Sequence, residues 1–555
     1  MFATLPSIFY FCSYRTEELL TTTVLHMIDP RRFSVALCLA SVLAGCGISA
    51  YEAGIPRTPI VDPPSDISSL PDSLTVVPGL EYRAGWFHRF IFGAHYRDLW
   101  TTPIRVKVLD LTGLTPVKTG GGYQTKSLRL RDADGQEYAF RSVNKDPTRA
   151  LPPELRETLA ADIARDQISS ANPAGALVVD VLADALGVLH PKPQLAFMPD
   201  DERLGQYREE FGGLLGIFEE YPGDGFAGAE KAVSTLKLFE TLERDNDNVV
   251  DAEALLTARL LDVFVGDWDR HIDQWRWAGF RHDGRRVWYP IPRDRDQAFT
   301  RFDGLLPSIG ARAVTQLENF DASIGDVASL IFSGRHVDRR LLVSLDRSAW
   351  ERIARRVVEK LTDEVIERAV AMLPPEFYAK MGEWLIQALK NRRDGLTKAV
   401  AVYYRLLSDY VDVHLSDKPE RVEIHRLDDE RVEVVAFQHE GSSEDRGNVI
   451  FRRTFLRDET KEIRLYLHGG DDECLVRGEV ESSIDVRVVG GGGDDRLVDE
   501  SHVRGILWGF IPFIPQAETC TYFYDDKGKN TFVVGRSCDV DTSPYKPPPP
   551  GLSQY

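Results

Sequence analysis

The chain has 555 residues and a mass of 62.5 kDa, room for about three domains at roughly 100–200 residues each, or two and a long tail. Hydrophobic residues at 43% and charged residues at 28% exclude wholesale disorder, and six cysteines exclude a disulfide-dense scaffold. Lys plus Arg number 67 against 86 Asp plus Glu, a net charge of −19, which argues against a general nucleic-acid binder, and no nucleic-acid partner is expected.

The first fifty residues read as an address. Residues 33–45, FSVALCLASVLAG, form an apolar run behind Arg31 and Arg32. The run is short of the roughly 20 residues a membrane span needs and has the make-up of a secretory signal. It ends in Leu43-Ala44-Gly45-Cys46, which resembles the lipobox of bacterial lipoproteins. That resemblance implies cleavage after residue 45, lipidation at Cys46 and a true start at Met27. With Gly47 after the cysteine, it also implies an outer-membrane lipoprotein, facing the periplasm or the surface. Acyl chains anchor by about 0.8 kcal/mol per buried CH₂. Residues 46–80 are rich in Pro, Ser and Asp and read as a tether. The aromatic stretch 82–100 is expected to cap the next core rather than to face a membrane.

Residues 81–415 read as one α+β domain of two lobes. Strands are predicted at 104–109, 127–130 and 138–143, with a turn at Asp134-Gly135 joining the last two. Helices follow at about 154–169 and 174–188, strands at 194–198 and 214–219, and a helix at 252–264. Strands near 275–280 and 287–291 flank a His282-Asp283-Gly284 turn, and helical patterns fill 345–413. From about 420 to 540 the period becomes two. Gly-Asp-Asp recurs there after 23 residues, in 463–472 and 486–495, which fits either a short β-solenoid or a two-layer β domain. Residues 541–555 are Pro-rich and read as a disordered tail.

Three clusters carry chemistry. Gly120-Gly121-Gly122-Tyr123-Gln124-Thr125-Lys126 precedes a strand; bare glycines let backbone N–H groups approach an anion, and Lys126 supplies a point charge. Asp267-Trp268-Asp269-Arg270-His271-Ile272-Asp273-Gln274 crowds ionisable groups beside aromatics. Pro292-Arg293-Asp294-Arg295-Asp296 closes a strand and offers paired carboxylates, hard donors suited to Mg²⁺ or Mn²⁺. Phosphate, metal and hydroxyl-orienting groups together make an inventory for phosphoryl transfer.

The order and wording of these clusters, over residues 118–300, resemble the atypical kinase-fold families, especially the spore-coat CotH-like secreted kinases. The resemblance implies a two-lobed kinase-like domain using ATP or another nucleotide with Mg²⁺ or Mn²⁺. It puts Asp269 as the catalytic aspartate with His271 beside it, and Lys126 on phosphate with Arg141 as its rival. Asp294 becomes the chief metal ligand, Asp296 a second, and Glu219 and Glu220 lead to the nucleotide site. Glu157 or Asp162 would pair with the lysine. Two positions depart from the pattern: Gln274, beside Asp273, stands where the family has a metal-binding Asn, and Arg293 replaces a Trp.

The functional expectation is phosphoryl or nucleotidyl transfer to a protein, glycan or lipid hydroxyl. The alternative is an inactive kinase-like scaffold that binds an outer-membrane protein or surface polymer; a metal-dependent phosphohydrolase is a third, more distant reading. In the β region the Gly-Asp-Asp units read as tight turns, with calcium as the other reading. In an oxidising envelope Cys520 and Cys538 are expected to pair across a hairpin, with two unpaired thiols as the alternative; Cys474 then stays single and buried.

Overall fold

The computed structural model describes residues 54–63, 71–120, 127–310, 318–439, 447–505 and 517–546. Within these residues a seven-stranded sheet, a four-stranded sheet with a helical layer, and a β-coil follow one another along the chain. The body is α+β and the C-terminal part all-β. Residues 1–45 and Cys46 lie outside the described residues, and within those described no helix is long and apolar enough to cross a membrane.

The first sheet contains β1 (Ser73–Val76), β2 (Ile104–Val108), β3 (Thr115–Gly120), β4 (Ser127–Arg131), β5 (Glu137–Ser142), β6 (Gln194–Met198) and β7 (Leu214–Glu220). Their spatial order is β1-β2-β6-β7-β5-β4-β3. β1 falls inside the stretch read as tether. Leu74 and Val76 alternate into the core, and the strand pairs with β2 from Ser73↔Lys107 to Val76↔Ile104, so the body starts before residue 81. The aromatic stretch divides. Tyr82, Phe92, Tyr96 and Trp100 enter the core as expected, while Trp86 and Phe90, on α1 (Trp86–Phe92), stay 80% and 61% exposed. β4 and β5 turn as predicted, with Asp132 Oδ1 accepting from the N–H groups of Asp134 (3.0 Å) and Gln136 (2.9 Å). The helix expected over 154–169 is broken: α2 (Leu159–Asp166) lies between 3-10 turns at Pro153–Leu155 and Gln167–Ser170. α3 (Gly175–Leu186) then stops at Gly187, which takes φ 75°.

The second sheet contains β8 (Lys231–Ser234), β9 (Asn248–Val250), β10 (Trp275–His282) and β11 (Arg285–Pro292), in the order β8-β10-β11-β9. α4 (Ala252–Val265) is apolar on nearly every face because it is covered on nearly every face, by β11, α3, α5 (Arg347–Lys360) and α7 (Pro375–Ser408). A shorter helix, α6 (Asp363–Val370), packs on α3 and α7. Arg259 of α4 is wholly buried and held by Asp262 at 2.7 Å and Asp338 at 2.8 Å.

Helix α7 runs directly into β12 (Tyr410–His414), so the β part begins near residue 410, earlier than the expected 420. Its strands stack in parallel. β16 (Glu462–Tyr466) pairs β19 (Asp485–Val489), and β17 (Glu473–Arg477) pairs β20 (Arg496–Asp499), each step 23 residues long. This is the solenoid, not the two-layer alternative. The preceding step is longer because the antiparallel pair β14 (Arg431–Gln438) and β15 (Val449–Leu456) is inserted after β13 (Glu420–Asp428). Further coils follow through β22 (Thr521–Tyr524), β23 (Thr531–Val533) and β24 (Cys538–Asp541). The expected disulfide does not form: Cys474, Cys520 and Cys538 are free. β22 and β24 are parallel, with Thr521 opposite Cys538. Cys520 is one position out of step, so its side chain points to the opposite face, against Val480 and Val503. The segment read as tail is described as far as residue 546, and the ring of Tyr545 packs on Tyr524 with centroids 5.0 Å apart.

Candidate functional site

α4 ends at Gly266, whose φ of 67° forms the left-handed cap that a side chain would resist. The chain passes through Asp267-Trp268-Asp269-Arg270-His271 into a 3-10 turn, Ile272–Gln274, and then β10. β10 and β11 form a hairpin in register from Trp275↔Pro292 to His282↔Arg285. Asp283 at φ 48° and Gly284 at φ 84° supply the two positive values of a type I′ turn. The register sets the chemistry. The acidic segment before β10 and the acidic segment after β11 are separated by a whole hairpin in sequence and become neighbours in space. Arg293 N–H donates to Gln274 O at 2.9 Å across the joint.

Arg270 fastens the two segments. Its guanidinium is fully buried, donates to Arg293 O at 2.8 Å and to Asp294 O, and lies 3.2 Å from Asp267 Oδ2. Arg295 reaches back to Asp267 at 3.2 Å and to Asp262 of α4. Asp294 itself sits at φ 56°, in the left-handed region that few residues other than Gly occupy. Such a conformation persists only where the surroundings enforce it, and here the Arg270 bonds do so.

These loops face β4, β5 and β7 across a cleft of about 970 Å³. Asp269, His271, Asp273 and Gln274 line it from the first loop, and Asp294 and Asp296 from the second. Gly120, Arg141 and Glu219 line it from the first sheet. Gly121, Gly122 and Lys126 lie outside the described residues; Gly120 and Ser127 on either side of them border the cleft. Glu157 is exposed and Asp162 pairs with Arg165 at 3.5 Å; their expected partner, Lys126, lies outside the described residues. Arg141 pairs with Glu219, and its Nε lies 3.9 Å from Asp294 Oδ2.

Sequence reasoning missed Lys145. It follows β5 by three residues, is buried, and pairs with Asp296. Its only sequence signal is a lysine close behind Arg141 at a strand end. Arg129 and Arg293 were also passed over as site groups. Arg129 lies 3.0 Å from the centroid of Tyr221 and Arg293 5.4 Å from it, so a tyrosine just past β7 organises two cations at the cleft edge.

The environment separates the two aspartates. Burial pushes Asp269 up to about 6, against the opposing pull of His271, Arg270 and Lys145. Burial acts on Asp294 in the same direction, but Arg141, Lys145, Arg270 and Arg293 outweigh it and hold its carboxyl below the usual range. Burial draws Lys145 down, opposed by Asp294 and Asp269. Arg293, buried beside Arg141, is pushed down to about 10. His271 lies 4.0 Å from Asp269 and 3.9 Å from Asp273, and its Nδ1 accepts from Asp273 N–H at 3.3 Å.

Carboxylate and amide oxygens from two rigidly joined loops suit a hard cation. Mg²⁺ is commonly held by one or two carboxylates plus substrate phosphates, so a closed protein cage is not required. Among the described residues, the one trio of Asp, Glu, His or Cys with ligand atoms within 4.8 Å of one another is Asp180, Asp184 and His190. Lys192 already sits on it, 3.2 Å from Asp180 and paired with Asp184.

No protein-family model matches the chain, and no curated protein matches it. Among solved structures it is similar to the proinflammatory kinase CtkA of Helicobacter pylori, at 11% identity and a TM-score of 0.28, over 53% of this chain and 99% of that one. It is also similar to HipA in the HipA, HipB and operator DNA complex of the Shewanella oneidensis MR-1 toxin–antitoxin system. There the identity is 14% and the TM-score 0.24, over 53% of this chain and 75% of that one.

Proposed function

We propose that the body is a kinase-like domain that transfers a phosphoryl or nucleotidyl group from a nucleotide to a hydroxyl of a protein, glycan or lipid. The observation that carries this reading is the meeting, in one cleft, of Arg141 and Lys145 with Asp269 and Asp294, on loops that Arg270 locks together. Asp269 would accept a hydrogen bond from the acceptor hydroxyl and take its proton as that oxygen bonds phosphorus and the bond to the leaving oxygen breaks. Arg141, Lys145 and Lys126 with the glycine loop would bind the phosphates; Arg293 adds positive charge at the cleft edge. Asp294, with Asp296, Gln274 and Asp273 near it, would hold Mg²⁺ or Mn²⁺, which neutralises phosphate charge when bound.

One observation favours the scaffold alternative: Lys145 and Arg141 are already paired with Asp296 and Glu219. Nucleotide titration of the purified protein with Mg²⁺ or Mn²⁺, beside Asp294→Ala, separates the two. The enzyme reading expects saturable, metal-dependent binding that the substitution removes. A folded protein that binds no nucleotide at millimolar concentration leaves the scaffold.

We also propose an outer-membrane lipoprotein anchored through Cys46, with an outer-membrane protein or surface polymer as a partner. Its test is fractionation of Cys46→Ala, which should leave the membrane fraction. A variant that stays there refutes the anchor.

A further inference from the structure

The solenoid hides a second acidic site, away from the cleft. Its turns stack so that one backbone N–H per coil donates to an acidic or amide side chain of the next. Glu420 N–H donates to Asp472 Oδ1 at 2.7 Å, Asp472 N–H to Asp495 Oδ1 at 2.9 Å, and Asp495 N–H to Asn530 Oδ1 at 3.0 Å. Each aspartate thereby uses one oxygen. The other oxygens, Oδ2 of Asp472 and Asp495, are buried without a hydrogen-bond partner, and so is Oδ2 of Asp525 from the neighbouring turn. These residues are only 2%, 1% and 4% exposed. Among the described residues no Lys, Arg or His makes an ion pair with any of the three. The charges that face them are those of Glu420 and Asp471, and of one another.

Two of these free oxygens, those of Asp495 and Asp525, converge. A Cβ built on Gly490 would lie 2.3 Å from Asp525 Oδ2 and 2.6 Å from Asp495 Oδ2, which puts the two oxygens at most 4.9 Å apart over a residue with no side chain. An uncompensated buried carboxylate is strongly destabilising, and two together more so. Something must supply positive charge or a proton. The donors are all hard oxygens, with no imidazole or thiolate among them, which selects Ca²⁺ over zinc or copper. Ca²⁺ takes six to eight such oxygens at about 2.3–2.6 Å in flexible geometry, whereas Mg²⁺ demands a near-ideal octahedron.

We infer that the solenoid carries a calcium site in which the free carboxylate oxygens of Asp495 and Asp525 are the principal ligands, with Asp472 one coil away. The ion joins successive coils, so its role is to fasten the solenoid. A proton shared between Asp495 and Asp525 is the rival occupant, and the test separates them.

The full protein is stripped with chelator and titrated with Ca²⁺, following the solenoid's melting transition and Tb³⁺ luminescence excited through tyrosine, since Tyr524 adjoins Asp525. Expected are a rise in melting temperature saturating at or below about 1 mM Ca²⁺, Tb³⁺ emission that Ca²⁺ displaces, and persistence of both in Asp294→Ala. The pair Asp495→Asn with Asp525→Asn keeps the shape without the charge. It should fold in chelator and weaken Tb³⁺ binding at least tenfold. Absence of a Ca²⁺ shift and of Tb³⁺ emission in the unsubstituted protein overturns the site in favour of the shared proton. Undiminished emission in the double variant overturns the ligand assignment. Should that variant not fold, the titration of the unsubstituted protein decides alone.

Discussion

Arg270→Lys tests whether the two acidic segments are joined by a guanidinium or merely by the hairpin. Lysine keeps the charge next to Asp267 but has no planar fork, so it cannot serve Arg293 O, Asp294 O and Asp267 together. A hydrogen bond to a charged group is worth about 1.5–3 kcal/mol, and leaving a buried acceptor unpaired adds a cost of its own. Keeping one contact of the three, the variant should lose about 3 kcal/mol. The readout is urea unfolding followed by tryptophan fluorescence, because Trp275, Trp277 and Trp288 of this sheet are almost wholly buried. The same variant should bind metal–nucleotide at least tenfold more weakly, since Asp294 loses what holds its backbone. A loss under about 1 kcal/mol, with unchanged binding, would show that the Trp275↔Pro292 register positions the loops unaided.

Asp269→Asn should lower turnover by about 10²–10⁴-fold, the usual worth of a positioned base, with little effect on nucleotide affinity. If the unsubstituted protein transfers as proposed, its rate should climb as pH rises through about 6, where Asp269 becomes ionised; a rate flat from pH 5 to 7.5 would exclude it as the base. Gly493→Ala places a methyl 1.7 Å from Gly470 O at a φ of 126°, so the solenoid should lose about 2–6 kcal/mol and melt before the body. Trp86→Ser should leave stability within about 0.5 kcal/mol, given an indole that is 80% exposed, and differential scanning fluorimetry would detect a larger effect.

The site was legible in part because its local signals are strong. An Asp-Gly pair between β-rich runs announces the β10–β11 hairpin, and ionisable residues crowded beside aromatics mark both of its ends. Lys145 was not legible. It stands in a loop beyond the last strand residue, where no periodicity assigns a direction, and only the fold brings it onto Asp296. The glycine loop supplied the sequence argument for phosphate, whereas within the described residues the structural argument rests on Arg141 and Lys145. In the β region the 23-residue recurrence correctly suggested a solenoid from two copies. The other coils were concealed by insertions: Gly528 and Asn530 continue the column of Gly493 and Asp495 at a step of 35 residues. The turn-rich segment YDDKGKN made residues 520–538 look like a hairpin. Parallel coils replace it, and the half-period offset between Cys520 and Cys538 undoes the disulfide.

The proposed division of labour between Asp269 and Asp294 follows from where the hairpin puts its ends. Both carboxyls leave bulk water, and burial alone would raise both. Asp294 leaves the end of β11 toward the first sheet, where Arg141 and Lys145 join Arg270 and Arg293 around it, so it stays ionised across the working range of pH. A permanently charged carboxylate is a good cation ligand and a poor proton acceptor. Asp269 precedes β10, farther from that cluster and nearer to Asp267, and burial dominates there. A carboxyl near 6 is ionised at neutral pH yet basic enough to share a hydroxyl proton. Exchanging the roles would put the weaker base on the proton and the carboxyl that more readily accepts a proton on the cation. Two aspartates of equal intrinsic acidity are thus driven in opposite directions by where each strand end points, which is what the proposed roles require.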